Sequence, residues 1–213
     1  MARVIAIAAL ALFLVGCGAG KTTSHAYTAP PAPQPATGAP PWPAPPNAIA
    51  LAKVAGLVPE RAEFLQYHVH AHLDVFVNGD PVRVPSGIGI NIKDPAVGSE
   101  KLADGTYAYG GISPPCKTAC ISPLHTHDDS GILHTESKTP TPNKLGQAFT
   151  EWDVKLSPTC VGGYCKPQAE VAIFVNGTPY AGDPRELELS NLKEIAIVIG
   201  TPPSTIPSAF PTS

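Results

Sequence analysis

Charged residues are scarce in this chain of 213 residues. Asp, Glu, Lys and Arg make up 15% of the sequence, and the formal net charge is −3. The sequence has no basic patch and no run of like charges, which are the usual signatures of binding to nucleic acids or other polyions. We therefore exclude DNA and RNA as partners. The apolar run VIAIAALALFLV at residues 4–15 is too short to span a bilayer.

The sequence also lacks a nucleotide-binding motif. GCGAGKTT, which begins at Gly16, looks like a phosphate-binding P-loop, but that motif requires a glycine five positions before Gly20. Position 15 is Val, and no strand–loop–helix pattern surrounds the segment. We therefore exclude nucleotide binding. Nothing in the chain resembles an activated serine or cysteine nucleophile either, which argues against covalent catalysis.

The N-terminus has the features of an export signal. Arg3 precedes the apolar run, and Leu14-Val15-Gly16-Cys17 resembles the lipobox of bacterial lipoproteins. The resemblance implies that residues 1–16 are a lipoprotein signal peptide and that Cys17 is S-lipidated and becomes the mature N-terminus. The protein would then be exported and anchored through membrane lipid, on the periplasmic or cell-surface face of a bacterial membrane. The alternative is an ordinary signal peptide followed by a chance cysteine.

Proline is abundant, with 26 residues, and much of it lies at the two ends of the chain. We predict that residues 17–46 form the lipidated cysteine and a proline-rich tether. Polyproline geometry, at about 3.1 Å per residue, would make the part from residue 30 to residue 46 a semi-rigid spacer of roughly 50 Å. Residues 201–213 are predicted to be a disordered proline-rich tail. The folded domain is therefore predicted to span residues 47–200.

The pattern of this central domain indicates a mainly β fold. Residues 67–77 alternate strictly between apolar and polar positions and are followed by Asn78-Gly79, a strong hairpin turn. The segment VFVNGDP at residues 75–81 recurs as IFVNGTP at residues 173–179, which indicates either a duplication or a favourable hairpin sequence that arose twice. We predict a compact α+β domain with two FVNG β-hairpin units.

Two segments have helical signatures. Asn47 can cap a short helix that ends before Pro59. In NKLGQAFTEWDV, the apolar residues recur at i, i+3, i+4 and i+7, a spacing that indicates one buried helix face. These residues are Leu145, Ala148, Phe149 and Trp152. The sequence therefore predicts one or two short helices that contribute to the core.

Six of the seven histidines fall in two short clusters, and the first is HVHAHLD. It places His68, His70 and His72 at alternate positions of a strand, followed by Asp74. Residues two apart on a strand lie roughly 6.5–7 Å apart, so two imidazoles can converge on one metal ion. His68 and His72 are roughly 13 Å apart and cannot readily share an ion. The cluster therefore predicts two ligands for one ion and a third imidazole with another role.

The second cluster is HTHDDSGILHTES at residues 125–137, in which Asp-Asp-Ser-Gly has the composition of a turn. With a four-residue loop, His125 faces His134 across the hairpin and His127 faces Ile132. His125, His127, His134 and Glu136 then point from one face, whereas an odd-length loop would separate them. Two histidines on one strand and a third on its antiparallel neighbour suit zinc or copper.

We therefore predict that at least three of the six clustered histidines bind a transition metal ion, copper or zinc. A lone histidine on a strand is usually satisfied or solvated, but that explanation does not account for two alternating clusters. Nearby carboxylates are candidates for additional ligands, for outer hydrogen-bond partners or for a general base. These residues are Asp74, Asp128, Asp129 and Glu136.

Four cysteines follow Cys17, namely Cys116, Cys120, Cys160 and Cys165. An even number in an exported chain favours disulfides. Three pairings are compatible with four cysteines, and the local pairs 116–120 and 160–165 are the simplest. The alternative is that Cys116 or Cys120, which shortly precede His125, supplies a thiolate to a copper site.

Four segments together resemble a group of exported bacterial proteins of unassigned function. These segments are HVHAHLDVFVNG, LHTHDDSGILHTES, LGQAFTEW and VAIFVNGTPYAGDPRELEL, and the resemblance covers residues 66–200. It implies that both histidine clusters belong to one functional unit, and it carries no established activity.

Three functional hypotheses follow from these patterns. The first is a membrane-anchored extracytoplasmic lipoprotein that binds copper or zinc for metal homeostasis or delivery. The second is a metal-dependent hydratase or hydrolase with a three-histidine site, in which Glu136 or Asp74 serves as the base. The third is a structural or partner-binding lipoprotein, with no protein partner indicated by the sequence. A full coordination shell would favour storage, and three histidines with an open position would favour catalysis.

Overall fold

The computed structural model describes residues 36–212. The predicted signal peptide and the predicted lipidation site at Cys17 lie outside these residues. The described part is mainly β with two short α-helices, as the sequence predicts. The helices are α1 (Ala48–Val54) and α2 (Leu145–Glu151), with a 3₁₀ turn at Pro184–Glu186. The strands are β1 (Tyr67–Val77), β2 (Asp80–Val82), β3 (Gly98–Lys101), β4 (Tyr107–Gly110), β5 (Leu124–His125), β6 (Ile132–Ser137), β7 (Cys160–Val161), β8 (Tyr164–Cys165), β9 (Val171–Val175), β10 (Thr178–Pro179) and β11 (Lys193–Ile199).

The main sheet of the described residues has seven strands, in the order β10–β9–β11–β1–β6–β5, with β2 also paired to β1. Strand β1 is central: β11 runs parallel along one edge, and β6 and β2 run antiparallel along the other. The remaining strands form two small hairpin sheets, β3–β4 and β7–β8. The strand that carries the first histidine cluster is therefore paired with neighbouring strands along both of its edges.

The alternation of β1 decides which face of the sheet enters the core. Val69, Ala71, Leu73 and Val75 are buried on one face, because successive side chains of a strand point to opposite faces. The apolar residues of β11 and helix α2 join the same core, and they include Ile195, Ile197, Ile199, Phe149 and Trp152. The opposite face of β1 carries the histidines. This division of the strand puts the imidazoles on the side away from the main core.

Both Asn-Gly dipeptides sit in turns with positive φ. Asn78 and Gly79 have φ values of 54° and 89°, and Asn176 and Gly177 have values of 48° and 75°. Two consecutive positive φ values are required at the centre of a type I′ turn, where asparagine and glycine are favoured. The turns connect β1 to β2 and β9 to β10.

The N-terminal boundary of the packed domain differs from the prediction. Residues 36–46 contact the domain instead of extending from it. Trp42 is 3% exposed, and its ring lies edge-on to that of Trp152, with 5.8 Å between centroids. The Trp152 indole also donates a hydrogen bond to the Trp42 carbonyl. The proline content indicates extended backbone, but it does not reveal that the single tryptophan in this segment provides enough apolar surface to dock it.

The C-terminal segment also differs from the predicted disordered tail. Residues 201–212 are irregular, as their proline content suggests, but they lie against the domain. The Thr201 amide donates to the side chain of Asn78, and the Phe210 ring packs edge-on to that of His72, with 6.2 Å between centroids. None of the helices formed by residues 36–212 is long and apolar enough to cross a membrane.

Candidate metal centre

The β5–β6 hairpin brings the second histidine cluster together. His125 is paired directly with His134, which confirms the predicted register of a four-residue loop. Asp128 stabilises this loop by accepting a hydrogen bond from the Ser130 amide, and Gly131 adopts a φ of 87°. Asp129 pairs with Arg83. The side chains of Asp128 and Asp129 therefore shape the turn or bind a neighbouring side chain, and neither is part of the convergent group.

The first cluster lies beside the second in the same sheet. On the antiparallel β1–β6 pair, His68 faces Glu136 and His70 faces His134. The two sequence clusters therefore share one face of the sheet. We call His125, His127, His134 and Glu136 the histidine centre, and we call His68 and His70 the outer pair.

The ligand atoms of the histidine centre all lie within 4.8 Å of one another. The Nε2 atoms of His125 and His127 are 3.2 Å apart. A tetrahedral ion with bonds of about 2.0–2.1 Å separates its ligands by about 3.3 Å. The Glu136 carboxylate lies 3.6 Å from His127, 3.5 Å from His134 and 3.8 Å from His125. The ligand atoms of the centre are thus spaced so that they could hold one metal ion.

Backbone carbonyls orient two of these rings. The Nδ1 atom of His125 donates to the Ser122 carbonyl at 2.9 Å, and that of His127 donates to the Tyr109 carbonyl at 2.6 Å. Each hydrogen bond leaves the Nε2 lone pair of its ring free and directed into the centre. Metal-binding histidines usually have such an outer hydrogen bond.

The protonation states also suit a cation. Burial, reinforced by the neighbouring imidazoles, lowers the pKa of His125 to about 3. Burial likewise lowers the pKa of His134. For Glu136, burial opposes ionisation, but contact with His127 and His134 holds the pKa well below its usual range. At neutral pH the imidazoles of His125 and His134 are therefore neutral and face an ionised carboxylate.

His127 differs from the other two histidines of the centre. Burial lowers its pKa, but its contacts with Glu136 and with the Tyr109 carbonyl outweigh this effect, so the net shift is upward. A proton bound to Nε2 of His127 therefore competes with a metal ion at mildly acidic pH.

Two buried polar atoms in the centre have no hydrogen-bond partner among the described residues, namely Nδ1 of His134 and one carboxylate oxygen (Oε2) of Glu136. Leaving a buried polar atom unpaired costs about 1–3 kcal/mol. Both atoms point to a missing partner in the centre, and a bound cation would provide it.

The outer pair is close to the centre but more exposed. The Nε2 atoms of His68 and His70 are 2.7 Å apart, and Nε2 of His68 is 3.2 Å from the Glu136 carboxylate. The ligand atoms of His68, His70 and His134 lie within 4.8 Å of one another. Burial, together with the nearby His134 and His68, lowers the pKa of His70 to about 4.

His72 lies apart from the other histidines, in agreement with the prediction that the third imidazole has another role. Its Nε2 donates to the Ser130 carbonyl, while its Nδ1 lies 2.8 Å from the Glu194 carboxylate and 3.6 Å from that of Asp74. This trio could also hold an ion. The sequence interpretation missed Glu194, because its position depends on the parallel pairing of β1 with β11. The available signal was a single acidic residue beginning the apolar run EIAIVIG.

A cleft of about 590 Å³ reaches the centre from solvent. Its lining includes His68, His70, His127, His134 and Glu136, together with Glu63, Glu100 and Tyr109 from neighbouring segments. The backbone of Gly110 approaches His127 so closely that an added Cβ would lie 2.7 Å from Nδ1. The β4 strand thus forms one wall of the cleft and fixes the His127 ring.

The four cysteines within residues 36–212 are not metal ligands. Cys116 is bonded to Cys120, and Cys160 to Cys165, which confirms the local pairing. The alternative in which Cys116 or Cys120 supplies a thiolate to copper is therefore wrong, because both sulfurs are in a disulfide.

No protein-family model, curated protein or solved structure matches this chain. The resemblance to exported bacterial proteins stays a prediction, and the function has to be argued from the site.

Proposed function

We propose that this protein binds a zinc or copper ion through the histidine centre and acts in metal capture or delivery outside the cytoplasm, anchored to a bacterial membrane through Cys17. The observation that carries the proposal is the convergence of the His125 and His127 Nε2 atoms, each ring oriented by a backbone carbonyl, on the Glu136 carboxylate.

The donor set favours zinc or cupric copper. Three imidazoles and a carboxylate suit zinc and Cu(II), whereas Cu(I) is selected by thiolate and thioether sulfur. The four cysteines of the described domain are in disulfides, so they offer no thiolate. Disulfides also persist in oxidising compartments, which supports an extracytoplasmic location.

The position of the centre supports exchange of the ion. The His125 side chain is 1% exposed, whereas that of His127 is 24% exposed and faces the cleft. An ion bound there would be held from the protein side and reached from the solvent side, which is the arrangement expected of a carrier.

The same cleft favours a second candidate function, metal-dependent hydration or hydrolysis. It has room for a small substrate beside the centre, and the ionised Glu136 could serve as a general base if it does not bind the ion.

Metal content tests the first proposal. Purified protein is stripped with a chelator, reconstituted with zinc or Cu(II), dialysed and analysed by mass spectrometry. We expect metal in stoichiometric amount in the wild type and a loss of the tightly bound ion when His125, His127 and His134 are all changed to alanine. Glu100→Gln, an exposed carboxylate on the cleft wall, is the matched control and should retain the metal.

Circular dichroism and disulfide mapping establish that the triple variant is folded. His127→Gln, which changes a less buried ring, tests the same point if the triple variant does not fold. Absence of metal from the reconstituted wild type would refute the proposal. Transfer of the ion to a competing chelator and hydration of a small carbonyl substrate then separate the two candidate functions.

A further inference from the structure

The outer pair lies within ligand distance of the histidine centre but is not needed to complete it. A tetrahedral ion takes four ligands, and His125, His127, His134 and Glu136 already provide four. His68 and His70 therefore remain as two further imidazoles on the same face.

The outer pair lies close to two side chains of the histidine centre, His134 and Glu136. The His134 ring lies 4.4 Å from that of His70 and 4.5 Å from that of His127, measured between centroids. A neutral imidazole has one nitrogen lone pair for a metal, and when its N–H proton is released to solvent the resulting imidazolate can bind one ion with each nitrogen. Glu136 also lies between the two groups: its Oε1 is 3.2 Å from Nε2 of His68 and 3.6 Å from Nε2 of His127.

The charge of the surroundings also permits a second cation. The cleft beside the outer pair contains Glu63, Glu100 and Glu136, and no lysine or arginine lines it among the described residues. Glu63 and Glu100 are not part of either histidine group, so they add negative charge to the cleft without occupying ligand positions.

We propose that His68 and His70, together with the shared His134, bind a second transition-metal ion next to the first, so that the two histidine clusters form one two-ion centre. This inference rests on the proposed function of the histidine centre.

The second ion is held less firmly than the first. Within residues 36–212, no backbone carbonyl accepts a hydrogen bond from the ring of His68 or His70, whereas carbonyls orient both His125 and His127. The His68 side chain is also 36% exposed. Rings without an outer hydrogen bond bind metal about 10–100-fold less tightly, so the two ions should bind in sequence.

The test is a titration of metal-free protein with zinc, with bound metal measured by equilibrium dialysis and mass spectrometry. The wild type is expected to bind two equivalents, the second at least about tenfold more weakly. His68→Ala combined with His70→Ala should bind one equivalent with the affinity of the first. His72→Gln, which changes the third histidine of the same strand, is the control and should still bind two.

With Cu(II), electron paramagnetic resonance gives a second readout. Two neighbouring cupric ions couple magnetically, so the integrated signal of the two-equivalent wild type should be lower than that of two isolated ions. The double variant should give the full signal of one ion.

Each other result overturns the inference. One equivalent in both the wild type and the double variant would eliminate the second ion and leave the proposed function intact. Two equivalents in the double variant, or loss of the second equivalent in His72→Gln, would show that residues other than the outer pair bind the second ion. No metal in the wild type would overturn both proposals together.

Discussion

Replacing Glu136 by glutamine is the sharpest test of how the centre attracts its ion. The substitution preserves the shape of the side chain and removes its negative charge. Glu136 lies between 3.2 and 3.8 Å from His68, His125, His127 and His134, so its carboxylate is close to four of the candidate ligands. The change should weaken metal binding without dismantling the ligand geometry.

The magnitude follows from Coulomb's law. Two unit charges 4 Å apart interact by about 4 kcal/mol at an effective dielectric constant of 20, and a divalent ion doubles this to about 8 kcal/mol. Desolvation of the buried carboxylate and of the ion offsets a large part of it. We therefore expect Glu136→Gln to cost about 3 kcal/mol of binding free energy, which raises the dissociation constant about 100-fold.

The pH dependence makes the prediction more specific. The pKa of His127 is raised, and below that pKa the metal must displace a proton from the ring. Affinity of the wild type should therefore fall as the pH drops through the raised pKa. In Glu136→Gln the largest of the contributions that raise it is lost, so the pKa of His127 falls and proton competition begins at lower pH. The ratio of the two dissociation constants should be largest near about pH 8 and smaller near about pH 5.5.

Competition with a chromophoric chelator across this pH range measures both constants, and Glu100→Gln serves as the charge-matched control. A loss of less than about threefold near pH 8, which corresponds to under about 0.7 kcal/mol, would show that Glu136 does not contribute to binding the ion. A ratio that grows toward acidic pH would contradict the assignment of the competing proton to His127.

Three further predictions concern residues around the site and the domain boundary. Trp42→Ala should lower the free energy of unfolding by about 3–5 kcal/mol in chemical denaturation, because a buried ring that contacts the domain is lost. Glu151→Gln should raise it by about 1–3 kcal/mol at neutral pH, because burial penalises ionisation of the Glu151 carboxyl and glutamine does not ionise. Burial raises the pKa of Glu151 well above 4.5. The stability of the wild type should therefore fall as the pH rises from about 4.5 through the raised pKa, because the buried carboxyl then has to ionise. Thermal melts of the variant across this pH range should not show this loss of stability. Gly89→Ala should weaken zinc binding about tenfold in the same competition assay, because Gly89 has a φ of 74° and an added Cβ would collide with the Leu124 carbonyl beside His125.

Each of these has a contrary outcome. Unchanged stability of Trp42→Ala would mean that residues 36–46 do not contribute to folding. A destabilised Glu151→Gln would indicate that the buried carboxyl has a partner that glutamine cannot replace. Wild-type affinity in Gly89→Ala would show that the position of His125 tolerates displacement of the adjacent backbone.

The local geometry of the site could be predicted because it depends on short-range periodicity. The two-residue alternation of β1 predicts that His68, His70 and Asp74 share a face, and the four-residue loop predicts that His125 faces His134. Both features depend only on neighbouring residues. The local disulfides follow in the same way from close spacing in the sequence.

The remaining features depend on contacts that no local pattern encodes. Glu194 reaches His72 only because β11 pairs in parallel with β1, 122 residues away. The carbonyls of Ser122 and Tyr109 belong to the backbone, so their side-chain types give no signal of the role. The burial of Trp42 does not follow from its sequence context either. It lies in a proline-rich segment, whose composition predicts an extended conformation but not where that segment docks.

The parallel pairing of β1 with β11 also has a consequence for the order of events during biosynthesis. The edge of β1 from Ala71 to Val77 has no partner until residues 193–199 are available, near the end of the chain. An unfinished chain therefore exposes an unpaired strand immediately beside the histidines. If the chain is exported unfolded, as the predicted signal peptide implies, the strand that carries the outer pair acquires its full set of neighbours only after the last strand has arrived. The ion would then come from the compartment in which folding ends, and the metal supply of the cytoplasm would have no influence on which ion is loaded.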